Sequence, residues 1–444
     1  LYTVWKALSA VRLARELEVL LGCTVAPLFW VAADDHDWAE VDHTFVMTPQ
    51  NELHRIELAD DPAVPAHPMS HRLLPAELDD VLREFTGLLP ESEFAPTLRA
   101  LLEQAYRPGK PMATAFEDLL AGLFAEFDLL MANSAAPAVK RQAAPILRRE
   151  LERAAPHAAL LKQQSERLVS KGYHAQVTIS EDAANVLIHD DHGRDRLVRE
   201  DGVWMLRRSR RTLTNEELFE RLEATPEAFS PNVLLRPVVE SALFPTIAYV
   251  AGPAELSYFA QIGCLFVAHG LQPPVVFPRF SVTLVESKVR KVMDKFGMDL
   301  GAFTRPFQEV TAQLVRDEMP DEVMRSVEVL RASVRDGYNL LGAAAAEIDP
   351  TLLGWLEGLR NNALAQTESA EKKIASHLKK KNEVELEQLR KAAANLFPDG
   401  SPQERVLNAL PYLARYGTEL MHQVLNVLPL EVAEAAPEWT GVRC

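Results

Sequence analysis

Apolar residues Val4, Leu8, Val11, Leu17 and Leu20 recur through residues 2–21 and predict a helix, with Gly22 as its left-handed stop. Residues 25–33 are apolar without polar alternation, the pattern of a short strand covered on both faces, as in a parallel sheet. The pattern then predicts helices over 75–106 and 112–126, a second buried strand at Leu129-Leu130-Met131, and a long helix over 137–170. Apolar strands alternating with helices in this way predict a Rossmann-like, doubly wound α/β core.

Residues 173–209 change period. Gln176-Val177-Thr178-Ile179, Asn185-Val186-Leu187-Ile188-His189 and Arg196-Leu197-Val198 read as strands, separated by turn signals at Asp190-Asp191-His192-Gly193 and Asp201-Gly202. With Val203-Trp204-Met205-Leu206 they predict a small antiparallel meander inserted in the core. Alternation then resumes with a strand ending over 248–253, a helix over 255–269 and a buried strand at Val275-Val276-Phe277-Pro278.

From residue 311 the pattern is wholly helical. Val327, Leu330, Val334, Tyr338, Leu341, Ala345 and Ile348 form one stripe. Leu352, Leu356, Leu359, Ala363, Ala370, Ile374 and Leu378 form another after Asp349-Pro350. Two such helices predict an antiparallel coiled-coil arm, and ~40 residues of helix reach roughly 60 Å. A stripe of that length is too apolar to stay wet, which points to a homodimer. The expected organisation is a core over 1–310, with its insertion near 173–209, a helical coiled-coil arm over 311–395, and a C-terminal helical segment over 396–444 that packs back on the core.

Length and composition fit this picture: 444 residues are enough for two or three folding units, and 48% apolar with 25% charged residues is typical of a globular chain. Acidic residues outnumber basic ones by 63 to 47, a net charge of −16 that argues against a nucleic-acid partner. Cys23, Cys264 and Cys444 have neither metal-ligand nor disulfide-framework spacing, which fits a reducing cytoplasm. The longest apolar run is far short of the ~20 residues needed to span a bilayer, so no membrane association is expected. Leu1 is not an initiator methionine, and nothing precedes the first helix to cap its N–H groups. A strand and loop are therefore expected upstream of this span.

Candidate chemistry concentrates in residues 29–43, where Asp34-Asp35-His36-Asp37 follows the first apolar strand. In open α/β sheets ligands bind at the carboxyl ends of strands. Carboxylates there hold an ammonium, and an imidazole beside them is a general base near neutral pH. The competing reading is a solvated loop with Asp34 or Asp35 capping a helix. His36, Glu40 and His43 would share one face of such a helix, which keeps a metal-dependent hydrolase of small amides open as an alternative. No metal is assigned in the preferred reading.

A second candidate is Arg236, set between Leu235 and Pro237 in an apolar stretch that contains Asn232. It suits either a bidentate carboxylate clamp or a structural ion pair. A third is the Gly252-Pro253 turn after Tyr249, whose backbone N–H groups could face an anion. His67 and His71 read as loop histidines, Lys379-Lys380-Lys381 as a solvated helix face, and Cys264 as a buried thiol. Phosphate-loop and dinucleotide fingerprints are absent from the sequence. A non-catalytic scaffold built on the helical arm is the second alternative.

Leu1-Tyr2-Thr3-Val4-Trp5-Lys6-Ala7, residues 29–37 with Val41-Asp42-His43, and Ala105-Tyr106-Arg107-Pro108-Gly109 resemble the bacillithiol cysteine-adding family. So do Gly172-Tyr173-His174-Ala175-Gln176-Val177, residues 229–237, residues 248–261 and Val275-Val276-Phe277-Pro278-Arg279. Thr283-Leu284-Val285-Glu286, Leu396-Phe397-Pro398 and Pro402-Gln403-Glu404-Arg405 extend the likeness over essentially the whole chain. The resemblance implies a Rossmann-like core with inserted connecting segments, a helical coiled-coil domain and a homodimer.

The activity implied is a ligase joining L-cysteine to glucosaminyl-malate, the amide-forming last step to the thiol bacillithiol. Carboxylates do not condense with amines in water unaided, so an acyl phosphate or acyl adenylate is expected, with ATP or ADP and Mg²⁺. Asp35, His36 and Asp37 are assigned to ammonium binding and proton relay, and Asn232 and Arg236 to a carboxylate. Tyr249 and Gly252 are assigned to the crevice floor. Glu286, Lys288, Arg405 and Asn408 mark the place expected for a nucleotide. The family carries a Gly- and Gln-rich strand and loop before Leu1-Tyr2-Thr3, so the present span is expected to fold but to be at least about tenfold less active than one extended upstream, since that loop would supply backbone anion donors.

Overall fold

The structure, a computed structural model, describes residues 1–60, 66–200, 202–428 and 430. Asp201 of the expected second turn, and residues 429 and 431–444 of the expected C-terminal segment with Cys444, lie outside the described residues. The chain divides into two units, Leu1–Val46 with His54–Val282 and Leu407–Cys444, and Met47–Leu53 with Thr283–Val406.

In the first unit α1 (Tyr2–Leu21) buries Val4, Trp5, Leu8 and Val11 and ends at Gly22, whose φ of 64° needs no Cβ to be accommodated. Strand β1 (Leu28–Val31) follows, then β2 (His43–Met47) and β3 (Leu53–Glu57). The helix expected over 75–106 is two helices, α2 (Leu78–Gly87) and α3 (Ala95–Ala105). Pro96 lies in the first turn of α3, where a missing N–H is harmless, so periodicity alone ran the two together. After α4 (Met112–Leu123), β4 (Leu130–Asn133) lies parallel to β1, with Leu28 opposite Leu130 and Val31 opposite Asn133.

The long helix expected over 137–170 likewise divides into α5 (Pro137–Glu152) and α6 (Ala154–Ser170). Pro156 in the first turn of α6 has no N–H to continue the ladder, and Arg153 at φ −117° makes the break. The inserted sheet is real and larger than expected: β5 (Ala183–Asp190), β6 (Gly193–Glu200), β7 (Val203–Leu206), β8 (Thr212–Leu213), then, beyond α7 (Asn215–Ala224), β9 (Phe229–Pro231). Its order is β8-β7-β6-β5-β9. Residues 176–179 are not a strand, because the Val177 N–H and C=O both bond the Gln261 side chain instead of a neighbouring strand. Gly193 closes the β5–β6 hairpin at φ 97°, and a Cβ there would meet the Ala66 carbonyl oxygen at 2.8 Å. Only glycine fits.

Helix α8 (Arg236–Leu243) leads to β10 (Ala248–Ala251), α9 (Pro253–Ala268) and β11 (Val275–Pro278), with β10 and β11 parallel. Leu147, Leu161, Ile188, Leu197, Trp204, Phe229, Ile262 and Phe266 share one core, so the inserted sheet is packed by α5, α6 and α9. Fully burying each such side chain is worth roughly 1.5–3 kcal/mol.

The second unit holds α10 (Ser287–Phe296), α11 (Phe307–Asp317), α12 (Asp321–Ala346), α13 (Leu352–Lys381), α14 (Glu383–Leu396) and α15 (Gln403–Val406). It begins after Val282 rather than near residue 310, because Val289, Met293 and Phe303 share a core with Leu389, Ala392 and Leu396. The α12–α13 hairpin turns at Asp349, whose carboxylate accepts from the Thr351 amide and hydroxyl at 2.8 Å. Helices α16 (Leu410–Tyr416) and α17 (Glu419–Val427) belong to the first unit, where the Leu1 amino group donates to the Leu407 carbonyl at 2.9 Å. No helix among the described residues is long and apolar enough to cross a membrane.

Candidate active site

The parallel pair β1–β4 ends on one side in polar groups. The Asp34 amide donates to Ser134 Oγ at 3.2 Å, which ties the chain after β1 to the chain after β4. Lys140, one turn into α5, is almost fully buried at 3% exposure. Its ammonium donates to Asp34 Oδ1 at 2.5 Å and to the Phe229 carbonyl at 2.7 Å. An ammonium has three donors, so these two leave one. Asp34, His71, Lys140, His189, Glu227 and Ser230 line a cavity of about 260 Å³, so the remaining donor has a ligand-sized space beside it. Burial pulls the Lys140 ammonium below the ordinary lysine range, and Asp34 opposes that loss of charge.

Histidines form another wall. His67 Nδ1 lies 2.9 Å from His189 Nε2, and the His71 and His189 rings are 4.5 Å apart between centroids. Burial, then His71 and His67, push the His189 pKa down to about 4. Burial and His67 also lower that of His71. Both rings are therefore uncharged acceptors at neutral pH. Arg194 donates from Nε to Ser230 Oγ at 3.0 Å and from Nη2 to the Pro231 carbonyl at 2.9 Å. Burial lowers its pKa against the pull of Asp34 and Asp35.

The residues named from sequence for this strand end sit just outside the cavity lining. Asp35 and Asp37 are exposed, and His36 is half-buried with its Nδ1 lacking a hydrogen-bond partner. The Asp35 carboxyl is held at about 2, first by the His36 imidazole beside it and then by the His36 amide and Arg194, against partial burial. His36, Glu40 and His43 do not share a helical face. Trp38–Glu40 is a single 3₁₀ turn and His43 begins β2, with its Nδ1 on Asp42 Oδ1 at 2.6 Å. Their ligating atoms do not converge among the described residues, which removes the basis of the metal-hydrolase reading.

A second polar cluster lies at the carboxyl end of β10. Arg236 Nη2 donates to Tyr258 Oη at 2.8 Å, and its Nε faces Glu240 Oε1 at 3.3 Å without hydrogen-bond geometry. Glu255 accepts from Lys6 at 2.6 Å, from the Gly252 amide at 2.8 Å and from Tyr249 Oη at 3.2 Å. Gly252 thus serves as the N-cap of α9, its own N–H held by the Glu255 carboxylate at N3. Asn232 is committed at both ends of its amide, donating to Asn185 Oδ1 at 2.8 Å and accepting the Leu234 and Leu235 amides at 3.0 Å. Asn408 is committed too: it donates to Thr44 Oγ1 at 2.9 Å and accepts the Leu410 amide at 2.8 Å. Glu286 occupies the N-cap position of α10 without a side-chain cap bond, and Lys288 and Arg405 are exposed.

A buried carboxyl and a half-buried imidazole give opposite pH slopes. Burial, opposed by Arg236 and Lys6, raises the Glu240 carboxyl to about 7. Unfolding lets it ionise near 4.5, so its share of stability is present below that value and is lost as pH rises through 7. His189 is depressed from 6.5 to about 4, so its share is present above 6.5 and is lost as pH falls through 4. Between these limits the two largely cancel, each at most about 1.4 kcal/mol per pH unit. His189→Gln is expected to make stability fall as pH rises from 5 to 7, and Glu240→Gln to make it rise, relative to the parent. Urea midpoints at three pH values check this, and parallel curves for all three proteins refute it.

Two parallel strand pairs with ionisable groups at their carboxyl ends, an inserted antiparallel sheet and a helical second unit define a Rossmann-like α/β protein with a coiled-coil domain. The family model "Bacillithiol biosynthesis BshC, N-terminal Rossmann-like domain" matches residues 1–280, and "Bacillithiol biosynthesis BshC, C-terminal coiled-coil domain" matches residues 282–432. The chain belongs to this BshC family. A Salinibacter ruber protein is 34% identical over 96% of this chain and 78% of its own length. A Koribacter versatilis protein is 32% identical over 100% of this chain and 81% of its own, and a Symbiobacterium thermophilum protein 33% over 97% and 79%. Each is named as a candidate cysteine ligase, BshC.

Proposed function

We propose that the chain joins the carboxyl group of L-cysteine to the amino group of glucosaminyl-malate, forming the amide bond that completes bacillithiol in the cytoplasm. The observation that carries this reading is the cavity in which a carboxylate-oriented ammonium and two uncharged imidazoles share the wall. Attack of an amine on an acyl carbon needs a donor for the oxygen that becomes negative and an acceptor for the proton the nitrogen loses. Lys140 has the remaining donor, fixed by Asp34 and the Phe229 carbonyl. His71 and His189 have the basic nitrogens. Asp35 and the His36 ring at the cavity's edge suit the substrate ammonium, and Arg194 and Arg236 its carboxylates. The relatives' shared name supports the same chemistry.

ATP or ADP with Mg²⁺ is proposed as the activating co-substrate. It would supply the leaving group that a free carboxylate lacks. Lys288 and Arg405, both exposed in the second unit, suit its anionic phosphates, and Glu286 suits the cation. Asn408 does not fit, because its amide is already bonded at both ends. The test is a reconstituted assay of the chain with cysteine, glucosaminyl-malate and ATP, following bacillithiol by thiol labelling. Thiol product that depends on all three supports the proposal, and its absence with an upstream-extended chain overturns it.

We also propose that the α12–α13 arm pairs with a second copy. Leu340 is 74% exposed, Ile348 84% and Trp355 64%, a row of large apolar groups that one hairpin leaves in water. Leu340→Glu with Trp355→Glu is expected to convert a dimer to a monomer at micromolar concentration in sedimentation velocity. A dimer of unaltered strength would place the interface elsewhere.

A further inference from the structure

Away from the cavity, three helices bring a carboxylate and two imidazoles together in the core. Glu150 lies near the end of α5 and is 0% exposed; His157 is in the second turn of α6 at 4%, and His269 caps α9 at 3%. His157 Nδ1 is 2.6 Å from Glu150 Oε2, and His269 Nε2 is 3.0 Å from the same oxygen. The other oxygen, Oε1, accepts from Asn185 Nδ2 at 2.7 Å. One ligating atom from each residue lies within 4.8 Å of the others.

We propose that Glu150, His157 and His269 hold a divalent transition-metal ion of the zinc class.

Two observations support it. Glu150 is a carboxylate removed from water whose bonds come from two imidazoles and an amide, none of which carries a fixed positive charge. Isolated buried anions are costly, and buried charges are normally paired or metal-bound. The His269 Nδ1 is buried without a partner, so the side-chain hydrogen bonding of this ring is directed at Glu150 alone.

Two imidazoles and one carboxylate are also the donor set that zinc takes from proteins, and it is usual for a ligating carboxylate to be oriented by a further hydrogen bond. Asn185 gives that bond and continues to Asn232, the residue that fixes the turn into α8. A cation here would therefore clamp α5, α6 and α9 behind the wall that carries Phe229 and Ser230. Zinc-class ligation requires each imidazole to present a lone pair at the atom now facing Glu150, with its proton on the opposite ring nitrogen. The site is thus separate in residues and in role from the amide-forming cavity.

The experiment uses the full chain, purified from zinc-supplemented cells and analysed for metal after gel filtration. About one zinc per chain is expected, with a lower Tm after chelation that is restored by added zinc. Glu150→Gln and His269→Gln should each weaken zinc retention at least about tenfold. If those variants misfold, the chelated parent is titrated with Co²⁺ instead, and visible d–d absorption is expected. A parent that retains no zinc, shows no cobalt absorption and has the same Tm with and without chelator overturns the proposal. So does a folded His269→Gln chain that keeps its zinc. The cluster is then a carboxylate clasped by imidazole N–H groups alone.

Discussion

Lys140→Met is expected to lower turnover in the bacillithiol-forming assay at least about 100-fold, the loss seen when one preorganised donor to a developing oxyanion is removed. The side chain is 4% exposed and its ammonium is fixed by Asp34 and the Phe229 carbonyl, so its remaining donor needs no reorganisation when charge develops beside it. A water in the emptied space would carry no charge and no fixed orientation. The variant also leaves Asp34, 14% exposed, without its cation, and breaking a buried pair costs about 3–5 kcal/mol. Lys140→Met with Asp34→Asn removes that unpaired charge. The double variant should therefore regain stability without regaining activity, which separates chemistry from folding. Turnover within tenfold of the parent in the folded double variant would remove Lys140 from the reaction.

How far the sequence foretold this arrangement depends on how local each cause is. The strands β1 and β11 were legible as apolar runs without alternation, although β11 is not the buried strand expected, Val275 at its start being exposed. The β5–β6 hairpin was legible because its turn needs Gly193. Asn232 was assigned to a substrate carboxylate, yet its bonds to the second and third following amides are a local turn that any Asn before a helix can make. Lys140 was not legible. In a helix a lysine reads as solvent-facing, and only its distant partners, Asp34 at 106 residues and the Phe229 carbonyl at 89, show otherwise.

The histidines were hidden for the same reason. His67 and His71 read as loop residues, and their partner His189 lies over a hundred residues on, at the end of β5. Asp34 was weighed as a helix cap, but no helix follows it, and its carboxylate turns to Lys140. The domain boundary moved for a related reason. Residues 283–310 have helical signals that fit either unit, and the partners of Val289 and Met293 come from beyond the arm, in α14.

Arg236 decides between its two sequence readings, carboxylate clamp and structural ion pair, by a stability measurement. Its side chain is 25% exposed and Glu240 is 9%, so the pair is largely shielded from water. Arg236→Met is expected to destabilise the fold by up to about 3–5 kcal/mol at pH 8, where the parent's Glu240 is ionised against Arg236 and the variant must either bury that charge unpaired or take up a proton. Burial raises the Glu240 carboxyl to about 7 against the pull of Arg236. Without the guanidinium that pKa rises further, so at pH 6 the carboxyl takes a proton and avoids the cost. The loss should consequently be smaller at pH 6 than at pH 8, and Arg236→Met with Glu240→Gln should recover most of it at both. A single variant with unchanged urea midpoint and a KM raised at least about tenfold, equivalent to about 1.4 kcal/mol of lost binding, would instead return Arg236 to the role of carboxylate clamp. Glu240 would then owe its raised pKa to burial with no pull from the guanidinium, and the alkaline slope attributed to it should persist unaltered in Arg236→Met.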